Sequence, residues 1–131
     1  MTPEEKLLAN AQLVIEQFSS LSNLQTQFGY NHESLMWVEG FIERQRNEPN
    51  FQPENASGLI GMLGSYLGQC IIHSHGGTWR KEEGQWGVFF DDSNAVFPFN
   101  KVRKQFLNGV AGGDSIVSCF DQIDPLILKR S

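Results

Sequence analysis

The sequence predicts an α+β fold with a helical N-terminal half that contains a buried, glycine-rich central helix, followed by a three-stranded antiparallel β-meander and short C-terminal helices. Three observations lead to this prediction. Apolar residues recur every three or four positions in the first half of the chain. No charged side chain occurs between Glu54 and Arg80. After Gly76-Gly77, aromatic and β-branched runs alternate with turn-forming residues.

Two amphipathic helices are predicted first. One runs from Pro3 to about Ser19, where Thr2 and Glu5 have the spacing of a capping box and proline suits the first helical position. The other is capped by Asn31 and ends near Arg46. Each carries one apolar stripe, so both helices are expected to cover a core on one side.

The third helix is predicted from about Glu54 to His75 and, because it lacks charge, is expected to be the most buried element. Gly61, Gly64 and Gly68 share one of its faces, where a neighbouring backbone could approach closely. A membrane span is disfavoured, because glycines and polar residues interrupt the apolar run too often.

The second half of the chain predicts a three-stranded meander with strands at Thr78–Arg80, Gln85–Phe90 and Ala95–Phe99. Asn100 is expected to cap a short amphipathic helix that ends near Asn108, and Asp114 to cap a last helical turn or two. The residues at the very C-terminus are expected to fray.

Length and composition favour one domain that spans residues 1–131. The net charge of −5 argues against nucleic acid or an anionic membrane as partner. Cys70 and Cys119 have no CxxC spacing, and no apolar run follows a basic N-terminal region as it does in a signal peptide. Reduced thiols and a cytoplasmic location are therefore expected.

The sequence predicts neither a metal site nor a bound cofactor. Cys70, His73 and His75 are close along the chain, but they supply too few ligands in an unusual spacing for structural zinc. No GxSxG, GxGxxG or Walker motif occurs in the sequence. The paired acids Glu82-Glu83 and Asp91-Asp92 fall in predicted turns, where solvated carboxylates are common.

We therefore interpret the chain as a non-enzymatic protein-interaction domain of an accessory or immunity type, whose partner is another protein or a second copy. The expected surface combines aromatic strands with a basic cluster. Its candidate residues are Trp79, Arg80, Trp86, Lys101, Arg103 and Lys104. The alternative is an enzyme or a small-ligand-binding protein with a pocket near His73, His75 and the aromatic sheet.

Short motifs in the second half of the chain occur in an order that resembles a known family. They are Leu67-Gly68-Gln69-Cys70-Ile71, Gly76-Gly77-Thr78-Trp79, Trp86-Gly87-Val88-Phe89-Phe90, Phe97-Pro98-Phe99-Asn100-Lys101-Val102, Asn108-Gly109 and Asp114-Ser115-Ile116. This order resembles a bacterial family of small uncharacterised proteins that is known as a domain of unknown function. The resemblance implies a bacterial cytosolic protein, and it brings no catalytic residue with it.

Overall fold

The N-terminal half consists of three helices whose ends follow the capping and breaking residues of the sequence. The computed structural model describes residues 1–123, in which α1 spans Pro3–Leu21, α2 spans His32–Arg46 and α3 spans Ser57–His75. The predicted capping box of α1 and the Asn31 cap of α2 are both formed. The third helix begins at Ser57, later than predicted, because Pro53–Ala56 form a 3₁₀ turn.

The middle of α3 is the centre of the fold. Nine consecutive residues, 63–71, are buried, and the helix packs chiefly against α1 and α4 (Pro98–Asn108). The sequence led us to expect a close backbone at the glycine face, but aromatic rings fill that space. A β-carbon at Gly64 would lie 2.3 Å from the Phe99 ring, and one at Gly68 would lie 2.2 Å from the Trp79 ring.

The sheet is an antiparallel meander in which β1 (Thr78–Glu82) and β3 (Ala95–Val96) flank β2 (Gln85–Phe89). Glu83 and Gly84 form the turn between β1 and β2, and both have positive φ (51° and 79°). Such a two-residue turn matches the natural twist of a hairpin.

The third strand was predicted to extend to Phe99, and this was wrong because the strand ends at Val96. Pro98 has no N–H for a strand ladder, but its fixed φ suits the first position of a helix, and α4 begins there. Consequently Asn100 lies inside the first turn of α4 and is not its cap.

The last described helix is α5 (Ile116–Asp121), which Ser115 caps by accepting a hydrogen bond from the backbone of Ser118. Asp114 was expected to be the cap, but its carboxylate accepts a hydrogen bond from the Asn108 amide at 2.8 Å instead. The expected fraying concerns residues that lie outside the described part of the chain.

A buried amide joins α2 to α4 and α5. The side chain of Gln105 on α4 is fully buried. Its amide N–H donates to the Glu43 carboxylate at 3.0 Å, and its carbonyl oxygen accepts from the N–H of Ile116 at 2.9 Å. Because a buried polar group is costly without partners, this arrangement requires both neighbours to stay in place.

Two further residues of α2 strengthen this junction. Glu39 accepts a hydrogen bond from the Ser115 hydroxyl. Arg46 donates to the carbonyls of Phe106 and Leu107, at 3.1 and 3.2 Å, where α4 ends. A cation at the C-terminus of a helix also interacts favourably with the helix dipole. We call this set the polar clasp: Glu39, Glu43, Arg46, Gln105 and Ser115.

Candidate functional site

An open groove lies where the first half of β2 faces the start of α4. Its volume is about 370 Å³. Five of its eight lining residues carry aromatic or amide side chains, and one is a cation at the rim. We call it the aromatic groove, and its lining residues are Ile60, Gly84, Gln85, Trp86, Phe97, Phe99, Asn100 and Arg103.

Glycines of α3 hold the back wall of the groove in position. The Phe99 ring lies against Gly64, and the Trp79 ring lies against Gly68. The two rings are neighbours, with centroids 6.1 Å apart, and the indole N–H of Trp79 donates to Gln69 at 2.8 Å. Trp79 therefore supports Phe99 from behind and does not itself line the groove.

Phe97 separates the aromatic groove from the outer face of the sheet. Its ring lies over Gly87, where a β-carbon would approach it to 2.9 Å, and it meets the ring of Phe89 edge to face. A side chain at position 87 would displace this ring. The strand glycine is thus needed for the close approach of Phe97.

On the outer face of the sheet, the side chain of Arg80 interacts with three neighbouring side chains. Its guanidinium stacks on Phe89 at 4.0 Å from the ring centroid and forms ion pairs with Glu82 and Asp92, both at 3.0 Å. These hydrogen bonds raise the pKa of Arg80. Together with Glu83 the two acids line a second cavity of about 370 Å³, so the outer face is acidic.

The basic residues of α4 point to different surroundings. Arg103 lines the aromatic groove and donates to the Asn100 side chain, and no carboxylate within residues 1–123 pairs with it. Lys101 lines a small cavity beside Cys119, and Lys104 is exposed. Of the six candidate residues, the structure brings only Trp86 and Arg103 together in the groove.

The sequence candidates do not include six of the eight lining residues, which are Ile60, Gly84, Gln85, Phe97, Phe99 and Asn100. Pro98 is the sequence signal that could have pointed to Phe97, Phe99 and Asn100. Had this proline been interpreted as the first residue of a helix, the chain would have been expected to turn away from the sheet there. Ile60 gave no signal, because it lies on α3, far from the strands in sequence.

The two histidines expected to line a pocket in the alternative interpretation, His73 and His75, lie outside the aromatic groove. His73 is exposed and stacks on Tyr30 with centroids 4.6 Å apart, whereas the ring of His75 lies 4.8 Å from that of Phe120. Burial raises the pKa of the Cys70 thiol to about 12, so this thiol is a poor ligand and nucleophile. Within residues 1–123, no three His, Cys, Asp or Glu side chains are grouped to hold a metal ion.

Comparisons with known proteins add no functional information. No family model, curated protein or solved structure matches the chain. None of the helices in the described residues has both the length and the apolar character needed to cross a bilayer.

Proposed function

We propose that this chain is a non-enzymatic protein-interaction domain that binds an acidic segment of a partner protein in the aromatic groove. The observation that supports this proposal is the position of Arg103, which lies at the rim of a groove lined by three aromatic rings and has no carboxylate partner within residues 1–123. Buried or half-buried rings contribute most of the affinity in protein interfaces, and charges at the rim select the partner.

Charge complementarity favours an acidic partner. The chain as a whole has a net charge of −5, and the neighbouring outer face of the sheet contains Glu82, Glu83 and Asp92. Arg103 is the cation of the groove, and Lys104 lies next to it along α4. An acidic segment with one apolar side chain would match both the rim and the rings, while the acidic outer face would repel it.

The role would be that of an accessory or immunity-type protein, in which binding alone controls the partner. A small-ligand function is the alternative, since the volume of the groove lies within the usual range for small molecules. The groove is open along the sheet edge, and the chemistry of its walls resembles that of an interface more than that of a catalytic pocket.

The proposal is tested with peptides selected from a random phage-displayed library on the immobilised protein. We expect the selected peptides to contain an acidic residue next to an aromatic or aliphatic one. Binding of the best peptide is then measured by isothermal titration calorimetry. Arg103→Glu is expected to weaken it about 30-fold, the effect of losing a ~2 kcal/mol hot spot.

The matched control is Lys104→Glu, which makes the same charge change on the next residue of α4, outside the groove. It is expected to change the affinity less than about threefold at physiological salt, because exposed charges are largely screened there. Selected peptides without acidic residues, or equal effects of the two variants, would refute the proposal.

A further inference from the structure

β2 extends past the end of β3 on the side of the groove. Val88 pairs with Val96, and Phe89 pairs with Ala95. Two residues further, this register would place Trp86 opposite Pro98, but Pro98 begins α4 and has no N–H to donate. Within residues 1–123, the first half of β2 therefore has no neighbouring strand on this side.

The backbone groups of Trp86 point toward this open side. In an antiparallel sheet, alternate residues of a strand direct both N–H and C=O to the same neighbour. The N–H of Phe90 donates to the carbonyl of Asn94 at 2.9 Å, on the β3 side. Trp86 is four residues earlier and has the same direction. No hydrogen bond from α4 or from Phe97 reaches its backbone in the described chain.

The aromatic groove follows the same edge. Gly84, Gln85 and Trp86 form one of its walls, and Phe97 and Arg103 belong to the other. An extended chain laid against Trp86 would occupy the position that β3 leaves empty. Its side chains would alternate between the two faces of the sheet, so one of them could reach Arg103.

We propose that the partner binds as an added β-strand. This inference rests on the function proposed above and specifies the conformation in which the partner segment binds. One residue of an extended acidic segment exchanges both backbone hydrogen bonds with Trp86, and a carboxylate of the same segment pairs with Arg103. Backbone pairing supplies affinity in this mode, and the side-chain contacts supply specificity. The occupant is a foreign acidic segment, because the charge of the groove that lacks a partner within residues 1–123 is the positive charge of Arg103.

The opposite edge of the sheet provides the contrast. The outer strand β1 carries three consecutive charged residues, Arg80, Lys81 and Glu82. Charged side chains are a common device that keeps an exposed edge from pairing with another chain. The edge at Trp86 carries an aromatic ring and an amide instead, so it suits an added strand better than the edge of β1 does.

The test uses the tightest peptide from the phage selection and a series of its analogues, each N-methylated at one position. N-methylation removes one donor, so the analogue that loses the bond to the Trp86 carbonyl is expected to bind about tenfold more weakly. Methylation at the adjacent residues, whose N–H groups point away from β2, is the matched control. Amide exchange of Trp86, followed by ¹⁵N NMR, is expected to slow at least tenfold with peptide, while that of Gly87 is unchanged.

The possible results separate the two proposals. If the peptide depends on Arg103 but tolerates every N-methyl group, and Trp86 exchange stays fast, the added strand is overturned while the binding function stands. If no Arg103-dependent peptide is found, the function itself fails. If Trp86 exchange slows with protein concentration alone, a second copy occupies the edge and the foreign segment is the wrong occupant.

Discussion

The polar side chains on the two sides of α4 differ in whether they form hydrogen bonds to other elements of the fold. On the side of the polar clasp, Arg46 and Gln105 form hydrogen bonds that connect α2, α4 and the start of α5. Their partners are two carbonyls, a carboxylate and a backbone N–H. On the side of the aromatic groove, the one polar partner of the Arg103 side chain within residues 1–123 is Asn100 on the same helix. A satisfied buried polar group fixes the fold, whereas a cation left beside aromatic rings is available to a partner.

The two regions should therefore respond differently to substitution. Changes in the polar clasp are expected to lower stability, because buried partners lose their hydrogen bonds. Changes at the rim of the groove are expected to lower binding and leave stability almost unaltered.

The largest effect is expected from Gln105→Leu in the polar clasp. The substitution keeps the size of the side chain but makes it apolar, so the Glu43 carboxylate and the Ile116 N–H lose their hydrogen bonds to the buried amide. We expect a loss of about 2 to 4 kcal/mol in the free energy of unfolding, measured by urea denaturation. Lys104→Leu, an exposed change on the same helix, is the control and is expected to cost less than about 0.5 kcal/mol. Similar losses for both variants would contradict the role of the clasp.

Alanine substitutions at two glycines of α3 are expected to change the stability in opposite directions. Gly64→Ala inserts a methyl group against the Phe99 ring, so we expect a loss of about 1 to 3 kcal/mol, as in other overpacked cores. A β-carbon added at Gly61 on the same helix would meet no described atom within 4 Å beyond its chain neighbours and the adjacent turns of α3, so for Gly61→Ala we expect a gain of about 0.5 to 1 kcal/mol from helix propensity. Thermal melting of the two variants checks both signs. If Gly61→Ala is destabilised, or if Gly64→Ala is as stable as wild type, the close packing of the Phe99 ring against Gly64 is contradicted.

Arg46→Met is expected to have a smaller effect. It removes two hydrogen bonds to the carbonyls at the end of α4, but the side chain is only half-buried, so we expect a loss of about 1 kcal/mol. Arg44→Met, two residues earlier and stacked near Trp37, is the control and is expected to lose about half as much. Urea denaturation compares the pair, and the reverse order would argue against helix capping by Arg46.

Much of the fold could be predicted from the sequence, because the controlling signals are local. The capping box at Thr2 and the uncharged run of α3 are examples that depend on neighbouring residues only. Gln105 could not be predicted to be buried, since its partners come from α2 and α5 and a glutamine on an amphipathic helix usually faces solvent. The groove depends on where β3 ends, and Pro98 is compatible both with an edge strand and with a helix start.

The smallest loss of stability is expected for Arg103→Gln. The side chain is exposed, and its hydrogen bond to Asn100 is a contact between neighbours on one helix, so we expect a change below about 0.5 kcal/mol in the free energy of unfolding. The glutamine keeps a donor for Asn100 but removes the charge. Binding of an acidic peptide selected on the groove is expected to fall about tenfold by isothermal titration calorimetry, and to become less sensitive to salt, while Lys104→Gln changes neither quantity much. A large loss of stability would mean that Arg103 belongs with Arg46 among the residues that hold the fold, and the contrast between the two sides of α4 would then fail.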